Sequence, residues 1–114
     1  TEDILNGRES KTAVVIRNIP KNVKMNDLIQ TLKTKEIKNY NFVYLPKKPN
    51  FNLGFAIINF NEPYDIIDFY NKFHMKNYEN TENKCELIYS HIQGFQNLKK
   101  RYPSKNTFLN LSNE

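Results

Sequence analysis

Two kinds of apolar periodicity alternate along residues 11–93, and this alternation limits the folds open to the chain. Side chains that alternate every second residue indicate a strand, whereas apolar residues at steps of three and four indicate a helix. Four segments are β-branched or alternate as strands do: Ala13–Ile19, Tyr40–Leu45, Leu53–Phe60 and the stretch "CELIYSHI". Pro20 and Pro46 end the first two, because proline lacks the N–H that a sheet requires.

Two helices are predicted between these strands. The first spans Met25–Lys35, where four apolar residues share one stripe: Met25, Leu28, Ile29 and Leu32. The second begins near Pro63, which the first helical turn tolerates, and its stripe consists of Ile66, Phe69, Tyr70 and Phe73. The breaker-rich stretch "KKPNFN" predicts a loop. The resulting order is βαββαβ, so we expect an α+β, ferredoxin-like sandwich with two helices on one face of a four-stranded antiparallel sheet.

The chain divides into one domain and two flanking segments. Residues 1–10 are polar and aperiodic, which predicts a flexible tail. The domain spans residues 11–93, and a hydrophobic content of 39% in 114 residues is enough for one core. A C-terminal extension covers residues 94–114, and we expect a short helix from Gln96 to Tyr102 within it.

The charge balance permits a polyanionic partner without requiring one. The net charge is +5, from 14 lysines and three arginines, but a lysine-rich solvated surface explains the same excess. A single cysteine, Cys85, excludes an internal disulfide, and the sequence has no apolar run of about 18 residues. We therefore expect an intracellular protein, in the nucleus or cytoplasm, with no membrane association. We also expect it to be a monomer.

Alternation within each strand assigns its side chains to two faces. In the third strand one alternate set is wholly apolar and suits the helix-covered side: Ala56, Ile58 and Phe60. The open face then receives the remaining side chains: Phe55, Ile57 and Asn59 of the third strand, Val15 and Arg17 of the first, Phe42 and Tyr44 of the second, and Glu86, Ile88 and Ser90 of the fourth. For the second strand the opposite assignment also stays open.

Two strand sequences resemble the signatures of the RNA recognition motif: "LGFAIINF" and "VVIRNI". The strings "IRNIP", "FVYLP", "GFAIINF" and "CELIYSHIQG" are similar to the C-terminal RNA recognition motif of the Mei-two-like meiotic regulators, over residues 11–94. This resemblance implies that single-stranded RNA binds on the open sheet face, in a post-transcriptional regulator of meiosis or sexual development. It implies neither catalysis nor a cofactor.

The resemblance places base-stacking positions at Val15, Phe55 and Ile57, of which only Phe55 has a ring. Leu53 occupies a position that is usually Lys or Arg. Because each stacked base contributes roughly 1–3 kcal/mol, two missing rings weaken the usual binding mode. We expect Arg17 and Asn59 to donate hydrogen bonds to RNA. The other predicted RNA-binding residues are Phe42 and Tyr44 as substitute platforms, Ile88 and His91 as further contacts, and Lys47, Lys48, Lys99, Lys100 and Arg101 as phosphate contacts.

An apolar patch of Val15, Ile57 and Ile88 indicates that something covers the open face. We expect the extension to dock there, where it either blocks RNA or extends its groove. A protein–protein interaction module with an atypical apolar face is the alternative function. Phe55 stacks on a base or packs beneath the extension, and Arg17 contacts RNA or forms a salt bridge to Glu86.

Cys85 and His91 do not predict a metal or catalytic site, because a metal needs several convergent ligands and catalysis needs an oriented base. Cys85 is expected to be a core residue, and His91 a strand-end residue that touches RNA.

Overall fold

The computed structural model describes residues 10–102 and 104–111, so the predicted tail lies outside the described residues except for Ser10. The strands are β1 (Ala13–Arg17), β2 (Tyr40–Tyr44), β3 (Lys47–Lys48), β4 (Phe51–Asn52), β5 (Phe55–Phe60), β6 (Glu86–Tyr89) and β7 (Thr107–Leu109). The helices are α1 (Met25–Thr34), α2 (Ile66–Phe73) and α3 (Phe95–Arg101), and a 3₁₀ turn, Pro63–Asp65, precedes α2.

The main sheet is antiparallel, with the strand order β6-β1-β5-β2-β7. Strands β6, β1, β5 and β2 of this sheet, together with helices α1 and α2, confirm the predicted ferredoxin-like fold. At the centre of the sheet, Val15 of β1 lies opposite Ile57 of β5 on one side and opposite Ile88 of β6 on the other.

Two elements depart from the prediction. The sheet has a fifth strand, β7, which comes from the C-terminal extension and pairs with the edge of β2. The predicted "KKPNFN" loop contains the β3–β4 hairpin, in which Lys48 lies opposite Phe51. The extension therefore contributes one strand to the sheet of the domain.

Helices α1 and α2 cover one face of the sheet and form the larger core with it. The third-strand side chains predicted to face the helices, Ala56, Ile58 and Phe60, are buried there. The Phe60 ring packs against Phe69 of α2, with 5.4 Å between the ring centroids. The first turn of α1 is capped, since the Lys24 N–H donates to Asp27 Oδ2 at 3.0 Å.

Helix α3 covers the centre of the opposite face, which confirms that the extension docks on the sheet. Leu98 of α3 is fully buried in a second apolar cluster with Ala13, Phe42 and Ile57. Phe42 therefore lies on the face opposite α1 and α2, and the orientation favoured for the second strand is confirmed. We call the side of the sheet that carries α3 the α3 face.

The Gln93 amide group connects the start of α3 to β1. Its Oε1 accepts hydrogen bonds from the backbone N–H groups of Thr12 and Ala13, each at 2.9 Å. Its Nε2 donates to the carbonyls of Ala13 at 2.9 Å and Ser90 at 2.8 Å. Gly94 follows with a φ of 93°, a conformation that favours glycine, and the chain then turns into α3.

Candidate nucleic-acid interface

Arg17 and Phe55 lie side by side on the part of the α3 face that the helix leaves open. The two residues lie opposite each other in the pairing of β1 with β5. Phe55 is half-buried against the apolar cluster that contains Leu98. The Arg17 side chain is 55% exposed, with its Nη1 3.4 Å from Glu86 Oε1. Such a surface ion pair contributes little free energy, about 0–1 kcal/mol, and leaves other guanidinium donors for a ligand.

The apolar centre of the α3 face is closed to a ligand. Phe42 and Ile57 are buried beneath Leu98, which corrects the expectation that these two side chains contact RNA directly. Val15 is half-buried at the border of the cluster, and Ile88 remains 42% exposed on β6. The accessible apolar surface is therefore displaced towards β1 and β6.

Tyr44 is paired with an aromatic ring from the C-terminal extension. Its ring stacks on Tyr102, with 4.5 Å between the centroids and 27° between the planes. The guanidinium carbon of Arg101 lies 5.1 Å from the centroid of the Tyr102 ring. Lys99 and Lys100 are exposed on α3, and the Lys99 ammonium lies 4.7 Å from the centroid of the Phe95 ring. Thus α3 and the residue that follows it place cations beside aromatic rings on the α3 face.

Asn59 is on the predicted face but is only 2% exposed, because it belongs to a chain of hydrogen bonds between strands. Its Oδ1 accepts from the Thr12 hydroxyl at 2.7 Å, and its Nδ2 donates to Asn41 Oδ1 at 2.9 Å. Asn41 in turn donates to Asn61 Oδ1 at 2.9 Å. The prediction that Asn59 donates a hydrogen bond to RNA is therefore corrected: its side chain is buried, and its polar atoms have partners within the protein.

The remaining predicted contacts lie away from this centre. Lys47 and Lys48 are exposed on the β3–β4 hairpin, and His91 is exposed in the turn after β6. The sequence interpretation missed Gln93, whose side chain ties the extension to β1, and Phe51, an exposed ring beside the hairpin lysines. A two-residue strand is too short for alternation to identify, so the local sequence carries no signal for Phe51.

The titratable groups near the sheet have structural roles. Burial raises the pKa of the Cys85 thiol to about 11, so it stays protonated and unreactive near neutral pH. His74 Nδ1 accepts the Leu87 N–H at 3.1 Å, and its ring stacks on Tyr70 at 4.4 Å. Within residues 10–102 and 104–111, no three His, Cys, Asp or Glu side chains form a group that would hold a metal. Over the same residues, no helix is long and apolar enough to cross a membrane.

Solved structures of RNA recognition motifs share this fold. The second such domain of the yeast poly(U)-binding protein Pub1 superposes with a TM-score of 0.59 at 9% identity, covering 74% of this chain and 99% of that one. The Rna15 domain, solved with bound RNA (GU), superposes with a TM-score of 0.59 at 11% identity, covering 78% of this chain and 93% of that one.

Curated relatives are similar in sequence. The MEI2-like protein 5 of Arabidopsis thaliana is 41% identical over 97 residues, which are 82% of this chain and 12% of that protein. The MEI2-like protein 3 of Oryza sativa subsp. japonica is 37% identical over 95 residues, which are 80% of this chain and 10% of that protein. The chain thus spans only a small part of the length of these relatives. The family model described as RNA recognition motif 2 matches residues 11–103. The chain therefore belongs to the RNA recognition motif 2 family.

Proposed function

We propose that this domain binds single-stranded RNA across the open part of the α3 face. The observation that carries the proposal is the juxtaposition of Arg17 and Phe55 on neighbouring strands, at an accessible place in a fold of this family. A base stacks on Phe55, and Arg17 donates hydrogen bonds to the same nucleotide or the next. Val15 and Ile88 supply apolar contacts beside them.

In this proposal α3 extends the groove rather than blocking it. It covers only the centre of the face, and its exposed Lys99, Lys100 and Arg101 add positive charge above the sheet, which attracts phosphates. The Tyr44–Tyr102 stack offers a second aromatic surface. Phe42, Ile57 and Asn59 act indirectly, because they support α3 and the strands from below.

The alternative of a protein-interaction module loses its main support in this geometry. It rested on the apolar residues that replace two rings, Val15 and Ile57, and on Glu86. Leu98 of the chain itself covers Ile57. Glu86 is paired with Arg17, which lowers the repulsion between its carboxylate and phosphate without removing it.

A titration with a mixed pool of single-stranded RNA oligonucleotides tests the proposal. Phe55→Ala is expected to weaken binding about tenfold, as loss of one stacked base does, and Arg17→Ala by a similar factor. Tyr64→Ala and Lys33→Ala are matched controls, since they remove an exposed ring and an exposed cation elsewhere on the domain. Equal affinities for the wild type, Phe55→Ala and Arg17→Ala would contradict the proposed site.

The biological setting is part of the same proposal: post-transcriptional control in meiosis or sexual development. The similarity to MEI2-like proteins supports it. The test introduces Arg17→Ala and Phe55→Ala together into the full-length gene and measures both the RNAs crosslinked to the protein and the completion of sexual development. Unchanged crosslinking and normal development in this variant would contradict the proposed role.

A further inference from the structure

A cleft lined by lysines lies between the β1–α1 loop and the β3–β4 hairpin. We call it the basic cleft, and its charged lining consists of Lys21, Lys24, Lys47 and Lys48, with no carboxylate. Two other surface hollows of the described residues differ in this respect, since one contains Asp27 and Glu79 and the other contains Glu36, Asp65 and Asp68. The cleft therefore concentrates positive charge, which attracts a polyanion.

An exposed aromatic ring stands at this cleft. Phe51 is 41% exposed and lies opposite Lys48 in the hairpin register. The Lys21 ammonium from the facing loop is 5.6 Å from the centroid of the Phe51 ring. Aromatic rings flanked by cations are typical of single-stranded nucleic-acid sites, where bases stack on the rings and phosphates contact the cations.

Hydrogen bonds from Asn52 hold the two walls of the cleft together. Its Nδ2 donates to the carbonyls of Pro20 and Val23, each at 2.8 Å, and its backbone N–H donates to the Lys21 carbonyl at 3.0 Å. Asn52 is buried, so these bonds are protected from water. The hairpin and the loop are thus fixed relative to each other, and the lysines do not have to be brought together when a ligand binds.

The basic cleft is continuous with the site proposed above. A second hollow at the ends of β1 and β5 is lined by Arg17, Gly54 and Lys84, together with Lys21, which also lines the basic cleft. Its one lining carboxylate, Glu86, is already paired with Arg17. A track of positive charge therefore runs from Arg17 past Lys21 to the hairpin.

We infer that the basic cleft is a second subsite for single-stranded RNA, in which a base stacks on Phe51 and the four lysines contact the phosphates of nucleotides that continue beyond Arg17. The inference rests on the proposed function and adds to it a length requirement. An RNA that reaches both Phe55 and Phe51 binds more tightly than one that reaches Phe55 alone.

Fluorescence anisotropy with mixed-sequence RNA pools of about four and about ten nucleotides tests this, since single-stranded sites span about 4–16 nucleotides. The wild type is expected to prefer the longer pool. Phe51→Ala should weaken binding of the longer pool about tenfold and leave the shorter one unchanged within about twofold. The double variant Lys47→Ala/Lys48→Ala should also reduce the slope of log affinity against log salt by about 1 to 1.5. Tyr64→Ala and Lys33→Ala/Lys38→Ala, which alter exposed residues elsewhere, are the matched controls and should leave both pools unaffected.

The outcomes separate this inference from the proposed function. If Phe55→Ala weakens both pools while Phe51→Ala weakens neither, the basic cleft is not a subsite and the sheet site stands. If only Phe51→Ala weakens binding, the cleft stands and the sheet site fails. If Lys47→Ala/Lys48→Ala weakens binding of both pools equally while Phe51→Ala weakens neither, the lysines act only as diffuse positive charge and the inference fails. Absence of binding by every protein to both pools would overturn both.

Discussion

At the scale of single residues, Asn52 fixes the β3–β4 hairpin to the β1–α1 loop. Besides its three bonds to the β1–α1 loop, its Oδ1 accepts the Gly54 N–H at 2.6 Å. Replacement by Ala keeps the backbone bond to the Lys21 carbonyl but removes the side-chain partner of the Pro20 and Val23 carbonyls and of the Gly54 N–H. Each buried group left unsatisfied costs about 1–3 kcal/mol. We therefore expect Asn52→Ala to lower the free energy of unfolding by at least about 2 kcal/mol in a urea titration. The neighbouring exposed Asn50→Ala should change it by less than about 0.5 kcal/mol, and equal effects of the two would contradict this role.

Glu86 restrains Arg17 and adds a negative charge beside the proposed RNA path. Glu86→Gln keeps the size of the side chain but removes the charge, so Arg17 becomes free and phosphates are no longer repelled. The expected result is a severalfold increase in RNA affinity in the anisotropy titration, larger at low salt than at high salt. Glu82→Gln, at an exposed position outside the strands, is the control. A decrease in affinity would show that Glu86 helps to orient Arg17 for binding.

At the scale of elements, the buried Leu98 and the Gln93 amide hold α3 on the sheet, together with the partly buried rings of Phe95 and Tyr102. Leu98→Ala removes the side chain that fills the space above Phe42 and Ile57, a change that costs about 2–5 kcal/mol in buried sites. We expect hydrogen exchange of the α3 amides to accelerate markedly and binding of a hydrophobic dye to increase, while the amides of β1 and β5 stay protected.

Gln96→Ala, at an exposed position on α3, is the control for this prediction and should leave exchange and dye binding unchanged. Unaltered protection of α3 in Leu98→Ala would show that the helix is held mainly by other contacts. The same variant also tests the role of α3 in RNA binding, because a helix that extends the groove should weaken RNA binding when it undocks.

At the scale of the whole molecule, buried titratable groups make the fold sensitive to alkali. Burial raises the pKa of Cys85 from 9.0 to about 11, and burial is also the largest cause of the raised pKa values of Tyr40 and Tyr78. The unfolded chain releases these protons at lower pH than the folded one, so the free energy of unfolding falls as pH rises from about 9 to 11. Urea titrations across this range should show the decline in the free energy of unfolding, and in Cys85→Ala the decline should be less steep near pH 9. A free energy of unfolding that stays constant up to pH 11 would contradict this prediction.

The sequence predicts those parts of the fold that depend on local periodicity. Alternation in β5 correctly separates Ala56 and Ile58 from Phe55, because successive side chains of a strand always point to opposite faces. The stripes of α1 and α2 likewise depend only on spacing along one helix.

The missed features depend on contacts between distant segments. Strand β7 consists of three residues whose extended conformation follows from pairing with β2, where Thr107 lies opposite Tyr44. The burial of Asn59 depends on Thr12 and Asn41 as hydrogen-bond partners, which alternation does not reveal. The basic cleft arises because Asn52 brings Lys21 beside a hairpin that lies far along the chain.

The central claim is that RNA follows the uncovered border of the α3 face while α3 stays docked. A titration of the isotope-labelled domain with a mixed RNA pool, followed by backbone amide NMR signals, tests it most directly. We expect the largest shifts at Arg17, Phe55, Ile88 and Tyr102, with the amide of Leu98 still protected from exchange. Shifts confined to the exposed sides of α1 and α2, or loss of protection at Leu98 on binding, would contradict the account.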